Sequence, residues 1–313
     1  MIDLHTHTTA SDGTFTPAEL VRRAKAIGLT AVAITDHDTL DGLPEALSEG
    51  ERQGITVVPG TEISLDYKGP RLESGRSGWM HLLVYWVDGL ADPRNQEPGT
   101  RNQERAEGAN LAYSEGALAV ELRELQRWRA ERNQRIIAKL NQLGLELTLD
   151  EVVAASGGGQ VGRPHFARVL LDKGYVKHRQ EAFDRYLTKG APAYEDKRRL
   201  GVEDAISRAR AEGAVPVLAH PFSLGLNDED LRARLAAWKR SGLCGIETIY
   251  PEHSNEFRAR LNGMARTLDL IATGGTDFHG ANKPGQELGR GRDRNVRVED
   301  RVLEDLFAMR KHS

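Results

Sequence analysis

A single cysteine, Cys244, stands in 313 residues. That excludes an internal disulfide framework and any thiolate zinc cluster, so a metal site in this chain has to use nitrogen and oxygen ligands. No stretch approaches the ~20 consecutive apolar residues of a membrane span. The first residues, Met1-Ile2-Asp3-Leu4-His5, lack the basic stretch and apolar core of an ordinary export signal, so a cytoplasmic protein without membrane contact is expected. There is no excess of one charge either: 43 Lys and Arg oppose 46 Asp and Glu, for a net charge of −3. Without a global field to hold nucleic acid or an acidic membrane, any nucleic-acid contact must be local. The glycine run Gly157-Gly158-Gly159 is not followed by Gly-Lys-Ser/Thr, which excludes a nucleotide-triphosphate loop of that kind. The apolar fraction of 39% is modest. It still suffices for a packed core, since a chain of this length buries roughly three quarters of its unfolded surface.

What the chain does have is an alternation of short β-branched apolar runs with amphipathic helical stretches, in residues 1–90 and again from about 201 onward. This is the pattern of βα units around a parallel sheet. Thr16-Pro17-Ala18-Glu19 reads as an N-cap, a proline at the first helical position and a capping-box glutamate. Strands are expected over 29–35, 55–59, 80–87, 214–219, 243–249 and 270–273, with helices over 202–212, 231–240 and 255–268. Residues 91–117 are polar and rich in breakers, which predicts a surface loop. The charged stretch 118–143, the capping box at Thr148-Leu149-Asp150-Glu151, and helical pieces near 166–173 and 181–187 make 118–194 an all-helical insertion. The expected organisation is therefore a first barrel part, 1–117, the insertion, 118–194, and a second barrel part, 195–313. Trp128, on the charged helix, is expected to anchor the insertion to the barrel.

The residues able to do chemistry gather at strand ends. In His5-Thr6-His7 an extended backbone projects both imidazoles to one side, and Asp277-Phe278-His279 repeats this geometry with a carboxylate and an imidazole. Asp12, His37, Glu62, His81 and His220 occupy further strand ends. Each alone reads first as a hydrogen-bonded core or rim residue. Together, in an α/β barrel, they converge on one face, where six histidines and three carboxylates would be costly to bury unless divalent cations satisfied them.

These motifs, Asp3-Leu4-His5-Thr6-His7, Ser11-Asp12-Gly13, Thr35-Asp36-His37-Asp38, Gly60-Thr61-Glu62, His81, Ala219-His220-Pro221 and Gly275-Thr276-Asp277-Phe278-His279, resemble those of the polymerase-and-histidinol-phosphatase (PHP) metal-dependent phosphoesterases. The resemblance implies a distorted (β/α)7 barrel with three divalent ions per chain. It assigns His5, His7, Glu62 and Asp277 to one ion, Glu62, His81 and His220 to a second, and Asp12, His37 and His279 to a third. Manganese is the expected metal, with iron or zinc as alternatives, because mixed imidazole and carboxylate ligands select weakly among them.

Gly162-Arg163-Pro164-His165-Phe166-Ala167-Arg168, Tyr186-Leu187 and Gly245-Ile246-Glu247 with His253 look like the branch that removes the 3′-phosphate of nucleoside 3′,5′-bisphosphates and, in relatives, trims short RNA from its 5′ end. The run Glu195-Asp196-Lys197-Arg198-Arg199 departs from that branch's pattern. The expected activity is attack of a metal-bound hydroxide on the phosphate ester. Asp277 and His253 are the expected catalytic residues, and Arg163, His165, Arg168 and His253 the expected substrate contacts. The alternatives are a phosphatase for histidinol phosphate or another small molecule, and a noncatalytic metal-bound PHP module. The absence of an empty ligand position favours catalysis.

Overall fold

In the computed structural model, which describes residues 1–70, 78–86, 116–156 and 160–309, the first helix forms where its punctuation predicts. The Thr16 hydroxyl accepts from Glu19 N at 3.2 Å, and the Glu19 carboxylate accepts from Thr16 N at 2.9 Å. This closes the capping box of α1 (Pro17–Ala26), whose Leu20, Val21 and Ala24 are buried. The expected polar stretch lies, over 91–115, outside the described residues, as does the glycine run 157–159.

Strands β1 (Ile2–Asp3), β2 (Ala31–Ile34), β3 (Thr56–Asp66), β4 (His81–Tyr85), β5 (Leu200–Gly201), β6 (Val215–Leu218), β7 (Gly245–Ile249) and β8 (Ile271–Gly274) make one sheet. Its order is β1-β2-β3-β4-β6-β7-β8, with β5 on the end of β3. The sheet curls until its edges nearly meet: His7 N donates to Phe278 O at 2.9 Å, and Phe278 N to His5 O at 3.3 Å. The result is a nearly closed barrel. Helices α1, α2 (Leu43–Gln53), α7 (Val202–Ala211), α8 (Asp228–Ser241) and α9 (Asn255–Thr267) cover it. Strand alternation divides the apolar residues. Val32, Ile34, Val84 and Ile246 pack with the helices, whereas Ala31, Ala33, Val58, Leu83 and Val217 pack with Leu306 and Phe307 of α10 (Arg301–Ala308). Cys244 is a buried member of this second cluster.

The sheet is not uniformly parallel, as the βα rhythm implied. β4 runs antiparallel to both β3 and β6. The reason is the length of β3, which continues through the expected end at residue 59 to Asp66. It delivers the chain past the rim, and β4 returns from there. This reversal brings His81, the first residue of β4, to the rim where the parallel strands end.

The helical segment comprises α3 (Ala117–Gln142), α4 (Leu149–Ala155), α5 (Arg163–Asp172) and α6 (Arg179–Ala182), which runs into a π-helical turn, Phe183–Leu187. Its apolar cluster includes Ile136, Leu140, Val152, Phe166, Leu170 and Leu187. The first turns of α3 belong to the barrel instead, through buried Leu118, Leu122 and Leu125. Trp128 is not the expected anchor. It is 43% exposed and carries the Arg198 guanidinium 5.4 Å from its ring centre. The leucines one and two turns earlier already cover that side of the barrel. No helix among the described residues is long and apolar enough to cross a membrane.

The insertion is tied to the rim by polar contacts. Gln160 N donates to Ser11 O at 3.1 Å, and Gln126 Nε2 to the Thr39 hydroxyl at 2.7 Å. The buried Asp38 takes Arg129 of α3, Lys197 Nζ at 2.5 Å and Ser64 N at 2.7 Å. Burial opposes ionisation of Asp38, but Lys197 and Arg129 hold its carboxyl well below the usual range. Asp38→Asn would leave two enclosed cations, Arg129 and Lys197, without their counter-ion, so we predict a loss of about 3–5 kcal/mol in urea unfolding. A loss under 1 kcal/mol would show that the contact carries no such weight.

Candidate metal centre

Two buried carboxylates locate the site. His5 and His7 follow β1 in extended backbone, so their rings share one side, and both are fully buried. Their Nε2 atoms lie 3.3 and 3.2 Å from Glu62 Oε2, and 3.5 and 3.2 Å from Asp277 Oδ1. Glu62 also meets His37 Nδ1 at 3.0 Å through Oε2, and His81 Nδ1 at 2.8 Å and His220 Nε2 at 2.9 Å through Oε1. Asp12 is 3.2 Å from His279 Nε2 and 3.9 Å from His37 Nε2. All nine expected donors therefore face one hollow at the rim.

Three groups of donor atoms close enough to share an ion emerge: His5, His7, Glu62 and Asp277; His7, Asp12, His37 and His279; and His37, Glu62 and His81. The first is the quartet implied by the family resemblance. The second adds His7 to the implied trio. The third has His37 where the resemblance implied His220, which meets the same Glu62 oxygen as His81 at 2.9 Å.

The donor set fits divalent cations. His5 Nε2, His7 Nε2, His37 Nδ1 and Asp277 Oδ1 are buried without a hydrogen-bond partner, a cost that a shared cation removes. The partner of the other ring nitrogen orients several imidazoles. His5 Nδ1 meets Glu247 Oε1 at 3.0 Å, and His279 Nδ1 meets Asp277 O at 2.8 Å. With a cation bound, these contacts would keep the proton on Nδ1 and aim the bare Nε2 at the hollow.

Several positioning residues carry no role in the motif reading. Glu247 also accepts from His220 N at 2.8 Å. Asp36 accepts from Thr8 N at 2.8 Å and from the Ser11 hydroxyl at 2.6 Å, pinning the loop between His7 and Asp12. Asp3 accepts from Thr276 N and Gly289 N, both at 2.9 Å, tying β1 to the loop that bears Asp277. Tyr250 donates to Asp277 Oδ2 at 2.7 Å, and Lys283 pairs with the same oxygen. The alternation Asp3, His5, His7 was the available signal for Asp3. For Tyr250 and Lys283 there was none, since they come from outside the motifs. Close packing sets the backbone too: a Cβ on Gly275 would lie 2.3 Å from His5 Cβ.

The expected substrate contacts distribute unevenly. His165, at the start of α5, accepts from Gly162 N at 3.0 Å through Nδ1. Burial lowers its pKa, and the charge of Asp12 opposes that. Arg163 is half-buried, donates to Leu187 O at 3.2 Å and lies over the Tyr194 ring at 5.1 Å. Arg168 forms an exposed pair with Asp172 one turn along, at 2.9 Å, and meets none of the nine donors. His253 is buried beside Tyr250 and Phe222, with Nδ1 3.0 Å from Thr248 O and Nε2 unpartnered. Burial lowers its pKa to about 4.

Charge within the hollow is strongly coupled. Burial opposes protonation of His7, yet Asp277 and Glu62 outweigh it and hold the pKa at about 9; His5 is likewise raised well above the usual range, against burial, by Glu247, Glu62 and Asp277. Burial pushes His37 down to about 3.

A nearly closed α/β barrel whose rim gathers histidines and carboxylates defines the class, and the sequence signature of the PHP domain matches residues 3–187. The chain belongs to the PHP family and is a metal-dependent phosphoesterase. It is 30% identical to the 3′,5′-nucleoside bisphosphate phosphatase of Chromobacterium violaceum, over 93% of this chain and 92% of that one. It is also 30% identical to the 5′-3′ exoribonuclease Rnm of Escherichia coli, over 92% and 88%. A solved structure from Bifidobacterium adolescentis superposes with a TM-score of 0.72 at 28% identity, covering 99% of this chain and 96% of that one.

Two predictions follow from the ring orientations and charges. Glu247→Gln leaves every donor in place but can accept from only one of His5 Nδ1 and His220 N, so divalent-metal affinity measured by calorimetry falls by about 10–100-fold; an unchanged affinity contradicts the orienting role. Because His5 and His7 take up protons at neutral pH, a cation must displace them. Metal binding at pH 7.5 therefore releases protons, and affinity rises as pH approaches 9. Titrations in buffers of different ionisation enthalpy test this, and absence of proton release refutes it.

Proposed function

We propose that the protein hydrolyses the 3′-phosphate of nucleoside 3′,5′-bisphosphates and acts on short 5′-phosphorylated RNA. The carrying observation is the contact of the helical insertion with the loop of Asp12, through Gln160 and Ser11. It brings the start of α5, which carries Arg163 and His165 in a segment that resembles the nucleotide branch, towards the loop of Asp12. Similarity over nine tenths of the chain to proteins named for these two activities supports the same reading.

His5, His7, Asp12, His37, Glu62, His81, His220, Asp277 and His279 are the proposed metal ligands. We assign three ions, manganese first and iron or zinc as alternatives. When bound, these ions neutralise the phosphate ester and supply a water of lowered pKa. The chain's own groups do the rest. Asp277 is held by Tyr250 and Lys283, which fixes the oxygen facing His5 and His7. His253 presents a bare Nε2 within a wall of Phe222 and Tyr250. At neutral pH this nitrogen accepts a hydrogen bond from a substrate hydroxyl. A phosphate dianion beside it counters the effect of burial and favours the protonated form required of a proton donor to the leaving oxygen. Arg163 and His165 contact the part of the substrate that extends over the insertion. Arg168, already paired with Asp172, acts at most through the helix it belongs to.

The test is phosphate release with manganese from adenosine 3′,5′-bisphosphate, adenosine monophosphates and histidinol phosphate, and release of nucleoside 5′-monophosphates from a short 5′-phosphorylated RNA. The bisphosphate is expected to give the highest kcat/KM, and Asp277→Ala to abolish release. A ranking led by histidinol phosphate would replace this reading with the small-molecule alternative. Silence on every substrate would favour a noncatalytic module.

A further inference from the structure

The rim of the barrel has two unlike sides. The insertion meets it at the loops after β1 and β2, through Ser11, Asp38 and Thr39, and there Glu62 Oε2 faces His5, His7 and His37. On the other side Glu62 Oε1 faces His81 and His220, the donors of β4 and of the turn after β6. Here the surface is aromatic. The ring centre of the partly exposed Phe222 lies 6.0 Å from that of His220, and Trp79 stands edge to face against Phe222, 6.2 Å away with the planes at 84°. Trp79 is 37% exposed. Among the described residues the only other aromatic as open to solvent is Trp128 of the insertion, whose ring carries Arg198.

The backbone holds Trp79 in this place. The pairing of β3 with β4 continues one residue beyond His81, with Leu65 N donating to Met80 O at 3.0 Å. Met80 turns into the core, so alternation directs Trp79 to the side of His81. Trp79 N donates to Ser223 O at 2.9 Å, and the buried Ser223 hydroxyl donates to Trp79 O at 3.0 Å while meeting His220 Nδ1 at 3.2 Å. One serine thus fixes both a donor imidazole and the main chain of the exposed tryptophan. A π-face held at a fixed place is a surface on which purines and pyrimidines both stack.

The chemistry of the reaction names the occupant. When a phosphodiester is hydrolysed at its 3′ bond, the oxygen of water bonds to phosphorus, the P–O3′ bond breaks and a proton passes to the 3′-oxygen. The phosphate stays on the 5′-oxygen of the next nucleoside, which therefore remains beside the donors throughout. The insertion, with Arg163 and His165, takes the first nucleoside. The aromatic side is left for the second.

We propose that Trp79, backed by Phe222, stacks the base of the nucleotide that follows the scissile phosphate. This inference rests on the reading that short RNA is a substrate. A nucleoside bisphosphate has no such base, so the platform serves RNA alone, and it does so without choosing among bases.

The first experiment compares two uncleavable 5′-phosphorylated dinucleotides with a methylene group in place of the scissile 3′-oxygen, one carrying adenine on its second residue and one carrying no base there. With manganese present, calorimetry is expected to show the wild type binding the first about 5–100-fold more tightly, the range for one stacked base. Trp79→Ala and Trp79→Leu lose that preference, and Trp79→Phe, which restores a π-face, keeps most of it. Leucine fills space without such a face, so its variant separates stacking from packing and serves if the alanine variant does not fold. The second experiment is turnover with manganese. In Trp79→Ala, KM for a short 5′-phosphorylated RNA rises by a similar factor, while kcat/KM for adenosine 3′,5′-bisphosphate is unchanged.

Equal affinity of the wild type for the two dinucleotides overturns the platform, and so does a preference that survives in Trp79→Ala or Trp79→Leu. If the wild type hydrolyses RNA and bisphosphate while the second base makes no difference, the proposed function stands and the platform falls. If it hydrolyses neither, yet binds the second base through Trp79, the platform stands and the proposed function fails.

Discussion

One buried carboxylate organises this protein. Glu62 is 1% exposed and touches five imidazoles, three through one oxygen and two through the other. Burial alone would favour its neutral form, but His81, His37 and His5 hold it well below the usual carboxylate range. Such a group cannot be satisfied by protons on all its neighbours, because the rings also repel one another. Divalent charge at a shared point resolves the conflict, and the barrel's closure at Phe278 and the antiparallel return of β4 both serve to bring donors to that point.

The scaffold accepts local strain to achieve this. His220 and Asp277 have φ of 23° and 50°, and Asp38, next to His37, has φ of 51°. Left-handed backbone at non-glycine residues persists where surrounding structure over-determines it. Here that structure is visible: Glu247 accepts from His220 N, Tyr250 and Lys283 hold Asp277, and Asp38 receives Ser64, Arg129 and Lys197. The same Asp38 links the metal centre to the helical insertion.

The donors were legible in the sequence because strand-end histidines and carboxylates are rare in combination, and the barrel's geometry turns strand ends into one rim. The capping boxes at Thr16 and Thr148 were equally plain, and both are present. The direction of β4 was not legible, since an apolar run such as 80–87 has the same composition in either sense. Its orientation depends on how far β3 extends. Trp128 misled because a large aromatic on a charged helix suggests burial, while the anchoring is done by the smaller Leu118, Leu122 and Leu125 earlier on the helix. Arg132, buried on α3, left no signal at all. On a helix crowded with arginine and glutamate, a buried cation and a solvated one are spelled alike, and only the folded neighbours distinguish them.

The most direct measurement of the central claim is anomalous diffraction at the manganese edge from crystals grown with that ion. The account predicts anomalous peaks on either side of the Glu62 carboxylate, one of them among His5, His7 and Asp277. A well-ordered structure in which these side chains keep their positions and no peak lies within bonding distance of Glu62 would contradict it.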